Sequence, residues 1–401
     1  MARCETAAAL ARCCAISPPD ATGRTRKGRT RRRAGGLALA AALSFVALAL
    51  AGLVLAQERQ GEGTLPRFEV DPFWPKPLPN HWLMGQAAGV AVDAQDHVWV
   101  VHRPRSLTEA ERGAALVPPR SECCIPAPPV LEFDGAGILI RAWGGAGAGY
   151  DWPLNEHGIF VDPQGNVWIA GNDPKDGQVL KFTPDGKFLL QIGRQGVIGG
   201  DADTRHLNRP AAMAVDPETN ELFVADGYGN HRVIVFDAET GAYKRHWGAN
   251  GRPPGDPGVA PFGTPVHCVR ISRDGLVYVC DRSHNRIQVF RRSGEFVAEF
   301  QVAPETRGSG STWDVDFSPD AGQRHLYTAD GENNHVWTLL REGGQILSVF
   351  GRSGRHAGQF HYVHNLAVDS HGNIYTTEVD TGERVQKFVS HGAVGPGRGR
   401  Q

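Results

Sequence analysis

The 401-residue sequence has almost no stretch in which apolar residues recur at helical spacing. Its apolar residues instead come in runs of about four or five, in which β-branched and aromatic side chains dominate. Gly, Pro, Asp and Asn bound these runs, as they bound short strands. The pattern excludes a fold built on helices and predicts an all-β protein.

The sequence also has little net charge, with 42 Lys and Arg against 43 Asp and Glu. Residues 1–33 hold nine of the basic residues and two of the acidic ones, so the remainder has 33 basic and 41 acidic residues, a net charge of −8 with His neutral. A mildly acidic body does not attract polyanions. Nucleic acid and anionic membrane surfaces are therefore excluded as partners.

Cysteine is scarce beyond residue 56, where the sequence contains Cys123, Cys124, Cys268 and Cys280. Cys268 and Cys280 are symmetric about Asp274, so we expect them to face each other across a hairpin. They are either bridged, as an exported location permits, or two free buried thiols. The adjacent Cys123 and Cys124 cannot be assigned partners from the sequence.

The long apolar run of the sequence lies near its N-terminus. Residues 24–33 carry seven basic groups, and residues 35–56 are uncharged and rich in Ala and Leu. This order predicts that residues 1–56 form an export signal cleaved near Ala56. An uncleaved membrane anchor is the alternative, because about 20 apolar residues span a bilayer. In either case we expect the body to be exported, periplasmic or secreted, with membrane contact only through this segment.

Beyond this segment, one pattern returns six times: an apolar strand ending in Asp or Ser, a tight polar turn, and a second, aromatic-rich strand. The strand-ending residues are Asp93, Asp162, Asp216, Ser272, Ser318 and Asp369. Third and fourth strands follow, as in RVIVF and YKRHWG of the third copy. Four antiparallel strands per repeat form a propeller blade.

We therefore predict a six-bladed β-propeller over residues 67–390, preceded by a linker at residues 57–66 and followed by a flexible Gly- and Arg-rich tail at residues 391–401. The sixth copy lacks an outer strand, and the strand-like piece from Arg67 to Val70 is expected to supply it and close the ring. The main irregularity is a Pro-rich insertion from Pro104 to Pro129 in the first blade. Loops of that length usually carry function or are disordered.

The residue five places before each strand-ending residue occupies an equivalent position in every copy. In chain order these residues are Ala88, His157, Ala211, His267, Trp313 and His364. Alternate positions in a ring of six lie about 120° apart, so the three histidines are expected to face one axis. Three neutral imidazoles that leave a fourth position open are a ligand set for catalytic Zn²⁺. The alternative is that each His is a local hydrogen-bonding residue, but the strict alternation favours zinc.

Several motifs resemble a known family. The segment ADGYGNHRVIVF, echoed as CDRSHNRIQVF and ADGENNHVWTL, resembles the NHL repeat. Together with FGTPVHC and WPLNEHG, these segments make nearly all of the predicted propeller resemble the catalytic domain of peptidyl-α-hydroxyglycine α-amidating lyase, a six-bladed NHL-repeat propeller. His157, His267 and His364 stand where that family holds zinc.

The resemblance implies roles for three further residues. Tyr228 matches the family's catalytic base, Arg103 its essential active-site arginine, and Arg282 another arginine near the site. Loops after second strands open on the face where first strands begin, so we expect all three beside the metal. Nearby positive charge would lower the pKa of the tyrosine and favour phenolate. The alternatives are a rim aromatic for Tyr228 and surface ion pairs for the two arginines.

The family also holds a calcium ion in the channel through two backbone carbonyls and a carboxylate. The carbonyl positions match Val90 and Ile159, whereas Asn365 stands at the carboxylate position. An amide oxygen can bind Ca²⁺, but the missing charge weakens such a site. Tyr362 replaces a methionine that the family keeps near the metal, so we expect a different substrate pocket.

These features predict a monomeric zinc-dependent lyase that cleaves a peptidyl-α-hydroxyglycine-like carbinolamide to an amide and glyoxylate. The substrate would be a small molecule or a peptide. Two alternatives remain. A metal-dependent propeller hydrolase, such as a lactonase, requires a carboxylate base in the channel, and a non-catalytic NHL-repeat interaction module requires no metal.

Overall fold

The computed structural model describes residues 65–394. The predicted export signal or anchor at residues 1–56 lies outside the described residues, as do most of the predicted linker and tail. Residues 65–66 of the predicted linker and residues 391–394 of the predicted flexible tail belong instead to two paired strands. Within the described part, no helix is long and apolar enough to cross a membrane.

The described residues form strands joined by tight turns within the blades and by longer loops. In chain order the strands are β1 (Leu65–Asp71), β2 (Trp82–Leu83), β3 (Gln86–Val92), β4 (Val98–Arg103), β5 (Ile125–Pro126), β6 (Val130–Phe133), β7 (Leu139–Trp143), β8 (Glu156–Val161), β9 (Val167–Gly171), β10 (Gln178–Phe182), β11 (Phe188–Gly193), β12 (Ala212–Asp216), β13 (Glu221–Asp226), β14 (Arg232–Asp237), β15 (Tyr243–Trp247), β16 (Val266–Ile271), β17 (Leu276–Asp281), β18 (Arg286–Arg291), β19 (Phe296–Gln301), β20 (Asp314–Phe317), β21 (His325–Asp330), β22 (His335–Leu340), β23 (Ile346–Phe350), β24 (Val363–Val368), β25 (Ile374–Glu378) and β26 (Arg384–Val394). Short 3-10 helices span Pro104–Ser106, Gly113–Ala115, Ala249–Gly251 and Arg282–His284.

Six four-stranded antiparallel sheets form the six blades that the repeats predict. Blade 1 contains β3, β4, β6 and β7, and blades 2 to 5 contain β8–β11, β12–β15, β16–β19 and β20–β23. Blade 6 has the order β1-β26-β25-β24, so the N-terminal strand completes the last sheet. The predicted strand exchange is thus confirmed, with Val70 opposite Phe388 in the ladder.

Six apolar clusters hold the blades together, one at each interface between adjacent blades. The cluster between blades 6 and 1 contains Tyr375 from β25 and Leu131 from β6, so the ring is closed. Burial of apolar area at about 25 cal/mol per Å² is the main stabilising contribution in such a ring.

The Asp that ends a first strand also shapes the turn that follows it. In blade 2, Asp162 Oδ1 accepts hydrogen bonds from the backbone N–H groups of Gln164 (3.0 Å) and Asn166 (2.8 Å). Its Oδ2 accepts a hydrogen bond from Trp168 Nε1 at 3.0 Å. The repeated spacing of Asp, turn and aromatic residue therefore reflects one hydrogen-bonded hairpin.

The structure also resolves the pairing of the cysteines. Cys268 and Cys280 lie opposite each other on β16 and β17, and they form a disulfide. The sulfur atoms of Cys123 and Cys124, in the insertion of blade 1, are bonded to each other.

Candidate metal centre

Three histidines converge in the centre of the ring. His157, His267 and His364 are each the second residue of a first strand, in β8, β16 and β24. Their exposed fractions are 0%, 0% and 2%. The ring centroids lie 4.8–5.0 Å apart, and the candidate ligand nitrogens all lie within 4.8 Å of one another. The alternation seen in the sequence is thus a real convergence of side chains.

Each of these imidazoles is oriented by the next blade of the ring. His157 Nδ1 donates to the backbone carbonyl of Ala211 at 2.8 Å, and His364 Nδ1 donates to that of Ala88 at 2.7 Å. His267 Nδ1 donates to the carbonyl of Trp313. The accepting residues occupy the same repeat position as the histidines, in the blades that lack one. These bonds fix the tautomer in which Nε2 carries the lone pair, as second-shell partners of metal-bound histidines do.

A glycine permits this close approach in blade 2. A Cβ atom at Gly158 would lie 2.5 Å from the carbonyl oxygen of Ala211. Since real Cβ atoms do not come so close to backbone, only glycine lets β8 approach β12 here. The approach brings the Ala211 carbonyl within reach of His157.

Tyr228 lies directly on the open side of the three rings, in the loop after β13. Its hydroxyl oxygen is 3.0 Å from His157 Nε2 and 3.1 Å from His267 Nε2. A hydroxyl carries one proton and can donate to one of these nitrogens. Among the described residues, the lone pairs of His157 Nε2 and His267 Nε2 therefore share this single donor. A cation between the rings would satisfy them.

Protonation does not satisfy the lone pairs of these imidazoles near pH 7, because the pKa values of all three are lowered. Burial lowers the pKa of His157 and His267 well below 6.5 and lowers that of His364 to about 3. The positive charge of Arg282 acts in the same direction on all three. All three rings are neutral near pH 7, which is the form that binds a metal.

Zinc fits this donor set. Ligand nitrogens around tetrahedral Zn²⁺ lie about 3.4 Å apart for Zn–N bonds of about 2.05 Å. The nitrogens here lie within 4.8 Å of one another, so the distance between any two of them needs to shorten by at most about 1.4 Å. His157, His267 and His364 would hold such an ion, and three protein ligands would leave a position for a substrate oxygen.

Arg282 is held between two aromatic rings beside the histidines. Its guanidinium carbon lies 4.4 Å from the Trp313 ring centroid and 5.6 Å from that of Tyr228. Its Nη1 donates to the Tyr228 hydroxyl at 3.3 Å, while its Nε is buried without a hydrogen-bond partner. A buried, unpaired guanidinium N–H beside three converging imidazoles suits an anionic ligand.

Arg103 and Arg209 add positive charge around the tyrosine. Arg103 Nε donates to the Glu156 carbonyl at 2.8 Å and Nη1 donates to Gln86 Oε1 at 2.7 Å. Burial lowers the pKa of Arg103, while the nearby Tyr228 raises it. The Arg209 guanidinium lies 5.5 Å from the Tyr228 ring centroid. Sequence reasoning missed Arg209, because it lies before a first strand and no motif marks it.

Asn365, at the position where the resemblance implies a carboxylate ligand for calcium, is engaged in hydrogen bonds on both sides of its amide. Its Oδ1 accepts from His364 Nδ1, and its Nδ2 donates to Asp314 Oδ2 at 2.9 Å. Asp314 also accepts from Arg270 Nη2 at 3.0 Å. The Arg270 guanidinium thus pairs with Asp314 and also interacts with the neighbouring carboxylate of Asp316. Val90 and Ile159, whose carbonyls the resemblance implies as calcium ligands, have their side chains in the apolar clusters between blades 6 and 1 and between blades 1 and 2. Calcium binding at these residues stays a prediction.

The three histidines, Tyr228 and Arg282 thus form one contact network, and Arg103 joins it through its charge. The sequence also did not reveal the carbonyls of Ala88, Ala211 and Trp313 as partners of the histidines. These three residues stand five places before the strand-ending residue, as the histidines do, and this shared position was the only sequence feature that pointed to them.

The NHL repeat family model matches residues 207–236 and 266–290. Peptidyl-glycine alpha-amidating monooxygenase of Mus musculus is 28% identical over 332 residues, which are 77% of this chain and 30% of that protein. Peptidyl-alpha-hydroxyglycine alpha-amidating lyase 1 of Drosophila melanogaster is 30% identical over 268 residues, 62% of this chain and 47% of that protein. This chain thus spans less than half the length of these two relatives.

Another relative matches over most of its length. NHL repeat-containing protein 3 of Homo sapiens is 30% identical over 272 residues, 65% of this chain and 73% of that protein. Among solved structures, a structural-genomics protein of unknown function from Bacteroides thetaiotaomicron has a TM-score of 0.50 at 14% identity, covering 77% of this chain and 70% of that one, and supports the fold alone. The chain therefore belongs to the family of NHL-repeat β-propellers that includes NHL repeat-containing protein 3 and the peptidyl-α-hydroxyglycine α-amidating lyases.

Proposed function

We propose that this protein is a zinc-dependent lyase that cleaves the C–N bond of a peptidyl-α-hydroxyglycine-like carbinolamide to give an amide and glyoxylate. The observation that carries the proposal is the contact of the Tyr228 hydroxyl with two of three converging imidazoles and with Arg282. The printed name of the Drosophila relative, a peptidyl-alpha-hydroxyglycine alpha-amidating lyase, supports the same reaction.

The substrate carries a hydroxyl and a carboxylate on the same carbon, and the site offers partners for both. The unpaired Nε of Arg282 is a donor for the carboxylate, and Arg103 adds a second positive charge. Zinc held by His157, His267 and His364 would supply a Lewis acid for the substrate oxygens. Burial of the site strengthens each of these charge interactions.

Tyr228 is the group that moves the proton. Its hydroxyl proton first passes to solvent, its oxygen then takes the proton from the substrate hydroxyl, and Arg282 Nη1 stabilises the negative charge by donating to this oxygen. The C–O bond of the substrate then becomes C=O, the C–N bond breaks, and its electron pair leaves with the amide nitrogen. That nitrogen takes up a proton, which Tyr228 can return. No water is consumed.

The partners of the histidines favour a lyase over a hydrolase. Within residues 65–394, the ring nitrogens contact the Tyr228 hydroxyl, three backbone carbonyls and the Asn365 amide oxygen. None of these is a carboxylate that would serve as the base for a water molecule. A non-catalytic interaction module would not explain why three buried, neutral imidazoles converge in the centre of the ring.

The proposal extends to location and assembly. We infer that residues 1–56 direct export, that the propeller works in the periplasm or outside the cell as a monomer, and that its substrate is a small molecule or peptide.

The direct test is glyoxylate release by the purified, zinc-loaded protein from an N-acyl-α-hydroxyglycine, with a protein-free blank. Formation of glyoxylate and amide in equal amounts supports the lyase. A metal-loaded protein that releases no glyoxylate but opens a lactone contradicts it and favours the hydrolase. A folded protein that binds no metal favours the interaction module.

A further inference from the structure

A groove crosses the top of blade 1 beside the metal centre. It has a volume of about 400 Å³ and is lined by Trp82, Trp152 and prolines of the blade-1 insertion, with Glu156 at one end. Its outer end is bordered by Gly144 and Gly145. The insertion, whose role the sequence left open, forms one wall through the parallel pairing of β2 with β5.

The groove opens on the same face as the histidines. The first strand of each blade begins on this face, the second ends there and the third begins there, because the four strands are antiparallel. Pro104 directly follows the second strand of blade 1, Pro129 directly precedes the third, and Gly144 directly follows the fourth. All three line the groove.

The inner end of the groove adjoins the metal centre. Glu156 is the residue before His157, and its carbonyl accepts the hydrogen bond from Arg103 Nε at 2.8 Å. Pro104 is the residue after Arg103. The groove thus shares Glu156 and Pro104 with the chain segments that carry His157 and Arg103, so the residue that precedes a substrate bound at these side chains can reach it.

The walls of the groove carry no unbalanced charge. The carboxylate of Glu156 accepts from Trp152 Nε1 at 2.8 Å and pairs with Arg105 Nη2 at 3.3 Å. The indole and the carboxylate thus satisfy each other, and the rest of the lining includes the Trp82 indole, pyrrolidine rings and the partly exposed side chain of Arg105. A Cβ at Gly144 would lie 2.7 Å from Trp152 Cη2 and 3.1 Å from Pro129 Cγ, so glycine keeps the outer end of the groove open.

We propose that this groove is a subsite for an apolar, preferably aromatic, side chain of the residue that precedes the α-hydroxyglycine unit of the substrate. The assignment rests on the lyase function proposed above. Aromatic and proline rings stack on indole faces, and a groove of this size accepts one such side chain. The protein would thus select peptides that end in an apolar residue followed by α-hydroxyglycine.

The test compares acetyl-phenylalanyl-α-hydroxyglycine with acetyl-glycyl-α-hydroxyglycine as substrates of the zinc-loaded protein. We expect kcat/KM to be roughly 10- to 100-fold higher for the phenylalanyl compound, from burial of one aromatic side chain. The difference should appear in KM and not in kcat, because the groove contacts a group that does not react. Trp82→Ala should bring the ratio of the two kcat/KM values toward one.

The controls keep the outcomes separate. Tyr243→Ala removes a half-exposed aromatic residue from blade 3 and should leave the ratio unchanged. Trp152→Leu is the second groove variant if Trp82→Ala unfolds, as judged by its thermal transition.

Glyoxylate release at equal kcat/KM from both compounds would overturn the subsite and leave the lyase function standing. A wild-type preference that survives in a folded groove variant would also overturn it. Release from neither compound would overturn the lyase function and this subsite with it.

Discussion

His157 in blade 2 donates its Nδ1 proton to the backbone carbonyl of Ala211 in blade 3, at 2.8 Å. The two residues occupy the same position in consecutive repeats. One copy contributes a side chain and the next contributes a carbonyl that orients it. This division of roles, repeated three times around the ring, explains why histidine appears in alternate copies.

Replacing Tyr228 by Phe removes the proposed base and keeps the ring. We expect kcat for glyoxylate release to fall by about 10²- to 10⁴-fold, the usual range for loss of a general base. Zinc content should stay the same, because the three imidazoles remain. Tyr243→Phe, on the exposed side of blade 3, is the matched control and should keep wild-type activity. Full activity of Tyr228→Phe would show that Tyr228 is not the general base of the reaction.

Replacing Arg282 by Lys keeps the charge but loses the planar group stacked 4.4 Å from the Trp313 ring centroid. A lysine cannot at once donate to Tyr228 and to a substrate carboxylate from the same plane. We expect kcat/KM to fall by about 10- to 100-fold, as for loss of a hydrogen bond to a charged group. Arg291→Lys, whose side chain is 62% exposed, should leave kcat/KM unchanged. An unchanged kcat/KM in Arg282→Lys would argue against substrate contact.

The repeats predicted the blades because blade formation depends on local chemistry. The turn at Asp162 and the two strands that it joins lie within about 15 consecutive residues. Ring closure by the strand that contains Phe68 was predicted because the sixth repeat lacks an outer strand. The position of the histidines followed from alignment of the copies. The stacking of Arg282 on Trp313, the contact of Arg209 with Tyr228 and the groove over blade 1 could not be predicted, because each joins loops from different blades whose spacing the sequence does not encode locally.

Closure of the ring predicts a difference between two phenylalanines of the N-terminal segment. Phe68 in β1 packs on Tyr327 and Phe350, with ring centroids 5.5 Å and 5.2 Å away, whereas Phe73 is 75% exposed. We expect Phe68→Ala to lower the free energy of unfolding by about 2 kcal/mol, since it removes a partly buried aromatic side chain. Phe73→Ala should change it by less than about 0.5 kcal/mol. Equal effects in denaturant titrations would contradict closure by β1.

His102 predicts an acid-sensitive component of stability. It is fully buried, accepts from the Gly85 N–H through Nδ1 at 3.2 Å and donates to the Pro128 carbonyl through Nε2 at 2.9 Å. Burial lowers its pKa from 6.5 to about 4. Between these two pH values the unfolded chain binds more protons at this residue than the folded chain does, so stability is lost as the pH falls.

The loss attributable to His102 should reach roughly 3 kcal/mol between pH 7 and pH 4, at about 1.4 kcal/mol per pKa unit. His102→Gln keeps one donor and one acceptor but does not titrate, so its unfolding free energy should fall less over this range. His356→Gln, at an exposed imidazole, should follow the wild type. Parallel pH profiles for wild type and His102→Gln would refute this assignment.

The most direct test of the account is the metal content of the purified protein after zinc loading and exhaustive dialysis. We predict one tightly bound zinc ion per wild-type chain. We expect none in His157→Ala, His267→Ala or His364→Ala, while His356→Ala should retain the full equivalent because its imidazole is exposed. Zinc content that is the same in the wild type and in all three folded triad variants would contradict a site formed by three imidazoles from alternate blades.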